Sequence, residues 1–136
     1  MPPAPAVIIH GREQGRQVLA QSRPVTFLSA PGAGVFAGAL WWISLIGLLR
    51  AEAGALPIDD ILDCATAPGR AAEALRAGQR RIVFQAETPA LFAAVAAMAE
   101  VCGAEVLAAP PPALDLGQRG AERRLGVWLA GNSAAG

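Results

Sequence analysis

Val25-Thr26-Phe27-Leu28-Ser29-Ala30-Pro31-Gly32 has a counterpart further along the chain in Ile61-Leu62-Asp63-Cys64-Ala65-Thr66-Ala67-Pro68-Gly69. In both stretches an apolar, strand-like run breaks into Ala-Pro-Gly and then into a helix-like run. Proline suits the first turn of a helix, where its missing N–H would have no partner, and the glycine beside it allows a tight turn. The repeat therefore marks strand-to-helix junctions. It predicts β-α units whose junction residues gather on one edge of a parallel sheet.

Working outward, Ala6–His10 is a short β-branched run before a helical stretch, 12–22. The second unit pairs Pro24–Ser29 with one long apolar helix from Ala33 to Ala53, ending near Gly54. Pro57–Cys64 is the third strand, before a helix from Pro68 to Ala77 that stops at Gly78. Arg81–Gln85 is the fourth, and Thr88-Pro89 then caps a helix through Cys102 that stops at Gly103. Glu105–Ala108 is a fifth, short strand, and Pro110-Pro111-Pro112 ends regular structure. Residues 113–130 read as a terminal helix or as containing a last strand at Gly126–Leu129, and 1–5 and 131–136 are expected to fray.

Strands alternating with helices require parallel pairing and right-handed crossovers. Consecutive apolar residues within the strands predict that helices cover both sheet faces. Five units cannot close an eight-stranded barrel. The prediction is one domain over residues 1–136: an open, doubly wound, mostly parallel α/β sheet of about five strands, Rossmann-like or flavodoxin-like. Ala71–Leu107 resembles β-α-β units of Rossmann-like and barrel enzymes generally, without singling out a family.

Composition narrows the function classes. The chain is 54% hydrophobic and only 16% charged, against roughly 25% charged in typical domains, so it is not disordered. Eleven acidic residues balance eleven basic ones, all arginine. That balance removes the basic surplus expected of a nucleic-acid binder, and the absence of lysine excludes Schiff-base chemistry. Low charge and an apolar surface favour self-association. Cys64 and Cys102 lack metal-ligand spacing and are expected as reduced thiols, which places the protein in the cytoplasm. Met1–Ala6 lacks the features of a secretory signal. The uncharged run Pro31–Leu49, with its Gly34/Gly38 pair, invites a membrane-span reading. A buried soluble helix between two strands is the preferred one, so no membrane partner is expected.

Ligands of open parallel sheets lie beyond the strand carboxyl ends, where the strand order reverses. A 2-1-3-4-5 order would put His10 and Asp63 at that point, and a 3-2-1-4-5 order His10 and the Gln85/Glu87 loop. The edge collects His10, Ser29, Asp63, Cys64, Thr66 and Glu87. Its histidine, serine and aspartate are the types of a hydrolytic triad, but the glycines of a nucleophile elbow are missing around Ser29. Cys64, ahead of a helix, could have a lowered thiol pKa or be a small buried residue. Gly32, Gly34, Gly69 and Arg70 could let helix N-termini meet a small anionic ligand. No cofactor motif is present.

Trp41 and Trp42 are adjacent, and adjacent helical positions point about 100° apart. One of them should face the sheet and the other a partner, with a second copy of the chain as that partner. Docking of the carboxyl-terminal segment through Trp128 is the alternative. Missing motifs, neutral charge and an apolar surface together favour a self-associating interaction or structural module. The alternative is small-ligand or anion binding, enzymatic or not, at the strand carboxyl ends.

Overall fold

The computed structural model describes residues 3–131. In chain order it contains β1 (Ala6–Ile8), α1 (Arg12–Leu19), β2 (Val25–Leu28), α2 (Ala33–Phe36), α3 (Ala39–Ala53), β3 (Ile58–Asp63), α4 (Pro68–Arg76), β4 (Arg81–Val83), α5 (Pro89–Val101), β5 (Glu105–Leu107) and β6 (Ala113–Asp115). A 3-10 turn, Ala121–Arg124, then leads into α6 (Leu125–Leu129). The strands form one open sheet in the order β5-β4-β3-β2-β1-β6, and every pairing is parallel. The open parallel α/β architecture is the predicted one, with six strands and with neither of the two strand orders that the sequence suggested. The order reverses between β1 and β6.

Four successive crossovers step from β1 to β5 in one direction. Right-handed crossovers that all step the same way place their helices on the same face. Accordingly, one large core cluster takes Val7, Phe27, Leu62, Ile82 and Leu114 from the strands and Val18, Trp42, Ala71, Val95 and Leu125 from the helices. The opposite face has a small cluster of Leu28, Ile61 and Val83, joined by Ile8, Leu107 and Ala113, with no helix residue among them. What covers it is the connection from β5 to β6, which steps back the other way and so crosses the other face. Ala109, Pro111 and Pro112 of this strap share a cavity with Thr26, Ile61 and Arg81. Both faces are covered as the apolar strands required, but the second by a proline strap in place of the expected helices.

The strap also bends the sheet. Six Cα steps separate Leu107 from Ala113, a reach of at most about 22 Å, while five strand spacings on a flat sheet come to about 24 Å. A connection shorter than the flat distance makes the sheet concave on the strap side.

Three expectations change. The apolar run after Pro31 is two helices, because Gly38 sits at φ 89° and breaks it into α2 and α3. No helix among the described residues is long and apolar enough to cross a membrane. The segment after Pro112 opens with a sixth strand, and 126–129 is helical. Residues 1–2 and 132–136, where fraying was expected, lie outside the described residues. Pro5 and Ala4 are held, since their carbonyls accept from the Thr26 N–H at 3.0 Å and Thr26 Oγ1 at 2.9 Å.

Candidate functional site

The strand order puts the reversal at the carboxyl ends of β1 and β6, and a histidine–carboxylate pair sits there. His10 Nε2 lies 2.7 Å from Asp115 Oδ1, an aspartate that sequence reasoning missed. Gln14 fastens the same seam, its Oε1 accepting from the His10 N–H at 2.8 Å and its Nε2 donating to the Leu116 carbonyl at 3.3 Å. The Gly117 N–H donates to Asp115 Oδ1 at 2.8 Å. A Cβ on Gly117 would fall 2.6 Å from His10 Nε2, so only glycine leaves room for the pair. Partial burial pushes the Asp115 carboxyl up. Hydrogen bonds from His10, the Gly117 N–H and the Gln118 side chain, together with the His10 charge, outweigh that and hold it below its ordinary value.

The other edge residues form a separate, closed group. Asp63 Oδ1 accepts from the Gly32 N–H at 3.2 Å and the Ala65 N–H at 2.8 Å. It thereby ties together the loops after β2 and β3 and holds Ala65 at φ 50°, a conformation that costs a non-glycine residue energy. Buried Ser29 accepts from the Asp63 N–H at 2.9 Å and donates to its neighbour's carbonyl, Ala30 O, at 3.1 Å. Ser29 and Asp63 are thus linked through a backbone amide, and the carboxylate at His10 is Asp115, so these residues form no triad. The anion at Gly32 is the chain's own Asp63.

Cys64 is fully buried. Burial and, secondarily, the Asp63 charge push its thiol up to about 12, which excludes an activated thiolate there. Gly34 is needed for packing, because a Cβ on it would stand 2.9 Å from Cys64 Sγ. Thr66, Gly69 and Arg70 are exposed at the start of α4, where Arg70 pairs with Glu73 at 3.0 Å. Glu87 is exposed beside a shallow hollow with Phe92 and Ala108. Among the described residues no group of three or more His, Cys, Asp or Glu side chains could hold a metal ion.

The two tryptophans of α3 differ in burial although their ring centroids lie 5.8 Å apart. Trp42 is wholly buried, and its Nε1 donates to Asp60 Oδ2 at 3.0 Å. The same carboxylate accepts from Gln79 Nε2 at 2.8 Å and from Arg50 Nη2 at 2.8 Å, so a buried charge is fully partnered. Burial therefore removes Trp42 from the expected interface and leaves Trp41, which is 37% exposed. Also exposed on α2 and α3 are Phe36 at 71%, Leu40 at 72% and Leu48 at 48%. Trp128 does not cover them: its Nε1 donates to the Ala6 carbonyl at 2.7 Å, and its ring lines the cavity beneath the strap.

No protein-family model matches the chain, and no curated protein matches it.

Proposed function

We propose that the protein is an interaction module that associates with copies of itself through the outer face of α2 and α3. The observation that carries this reading is the exposure of Phe36, Leu40, Trp41 and Leu48, large apolar side chains on α2 and on the turns of α3 that precede its charged last turn. Contiguous apolar patches larger than a few hundred Å² are rare on monomers and mark contact surfaces. The occupant follows from charge. A two-fold contact sets the same patch on both sides of the interface, so an apolar patch meets an apolar patch and no charge among these four side chains is desolvated. The chain as a whole has zero net charge and offers no long-range repulsion between copies.

Light scattering on a size-exclusion column tests the reading. The wild type should elute with at least twice the mass of one chain, and Leu40→Glu should elute as a folded monomer, because a charge in a desolvated apolar contact costs several kcal/mol. A wild-type monomer at all attainable concentrations would refute it.

A further inference from the structure

The concave face is not filled beneath the strap. A cavity of about 360 Å³ lies there, walled by Pro3 and Pro5 on the amino-terminal side, by Pro111 and Pro112 of the strap, and floored by Thr26 and Ile61. Proline walls have fixed φ and deform reluctantly, so the space is kept open by the chain itself. Its lining is mainly apolar with a few polar groups and it opens to solvent, as small-molecule sites do, and its volume falls at the lower end of their range. At about 30 Å³ for each water-sized group, it has room for about a dozen non-hydrogen atoms.

The polar atoms of the lining define the guest. The Thr26 hydroxyl and the Trp128 indole N–H already donate to the carbonyls of Ala4 and Ala6. Arg81 is the one charged side chain among the described lining residues, and it is held by Asp59 at 3.0 Å and Glu105 at 3.1 Å. Two carboxylates already exceed its single positive charge. An anionic guest would add a third negative charge, and a cationic one would face the guanidinium. A neutral hydrogen-bond acceptor meets neither penalty, since a guanidinium carries five N–H donors.

From this we infer that the cavity is a binding site for a small, uncharged, apolar molecule bearing one hydrogen-bond acceptor turned toward Arg81. The site lies under the strap, away from the strand carboxyl ends, and it is independent of association through α3.

Decan-2-one and decanoate are suitable probes, being similar in size and differing in head-group charge. Each is titrated at neutral pH into the ¹⁵N-labelled full chain while the indole N–H signals of Trp128 and Trp41 are followed. Decan-2-one should shift the Trp128 signal saturably and leave that of Trp41 in place, and decanoate should bind at least tenfold more weakly. Ala109→Phe, which fills the cavity from an exposed strap position, should weaken decan-2-one at least tenfold. Ala4→Phe, from the amino-terminal segment, should do the same and serves if the first variant does not fold. Leu40→Glu should change nothing. No saturable Trp128 shift, decanoate binding as tightly as the ketone, or undiminished binding by a folded cavity-filling variant would each overturn the proposal.

Discussion

The two sides of α3 are built from the same kinds of residue and have opposite surroundings. Its inner side places Trp42, Leu45, Ile46 and Leu49 in the main core, while its outer side presents Leu40, Trp41 and Leu48 with substantial exposure. Surface helices ordinarily pair an apolar stripe with a charged face. By contrast, α3 carries its charges, Arg50 and Glu52, only in its last turn, and the turns before it are uncharged outside as well, as in a helix covered on both sides. The difference between the two sides is therefore one of cover, and it locates where a partner is missing from the single chain.

The largest effects should come from breaking the inner side. Trp42→Ala should cost about 3–5 kcal/mol through the cavity it opens. Asp60→Ala should cost about 1–3 kcal/mol, because it leaves the buried Trp42 indole N–H and the Gln79 amide without their acceptor. Urea unfolding at pH 7 measures both, and a loss below about 1 kcal/mol for either would mean that the inner side is not the tightly packed one. Gly15→Ala sharpens the same point more gently. An added Cβ on Gly15 would lie 2.5 Å from Leu49 Cδ1, so overpacking between α1 and α3 should cost about 1–3 kcal/mol.

The polar knots repeat the contrast between closed and open sites. Asp60 is enclosed by partners, whereas Asp115 is partly exposed at the sheet reversal. The Asp115 carboxyl is held below its ordinary value, which is about 3.9 for a free aspartate. Its contribution to stability is present above that ordinary value and is lost as pH falls through the lowered one. The stability difference between wild type and Asp115→Asn should therefore shrink as pH drops below about 4. Urea midpoints taken from neutral to acid pH check this, and a difference independent of pH would contradict it. The smallest effect on folding belongs to the outer side: Leu40→Glu, at a position 72% exposed, should leave monomer stability within about 0.5 kcal/mol, as for other surface substitutions.

The β-α units were legible because each carries its own local signals. Ala-Pro-Gly opens two junctions, Thr88 with Pro89 caps α5, and Gly78 and Gly103, at φ 101° and 70°, close two helices. The β6 strand was not legible, because three residues between Pro112 and a turn are too few to show a period. Missing β6 meant missing the strand order, and with it Asp115 as the partner of His10, since a pairing 105 residues apart leaves no trace in local pattern. His10 itself was found because it follows β1, which borders the reversal in every order considered. The break between α2 and α3 hid within a uniformly apolar run, where only the backbone of Gly38 marks it. The tryptophan pair was half legible. Adjacency showed that the two must diverge, but which one turns inward depends on Asp60, Arg50 and Gln79 closing around Trp42.

The most direct test of association through the outer side of α3 is the ¹⁹F spectrum of 5-fluorotryptophan-labelled protein across a wide dilution range, with signals assigned by Trp41→Phe and Trp128→Phe. Association through this face predicts that the Trp41 resonance moves most on dilution, that Trp42, whose ring centroid lies 5.8 Å away, moves less, and that Trp128 stays fixed. A spectrum independent of concentration, or one in which Trp128 moves and Trp41 does not, would contradict it.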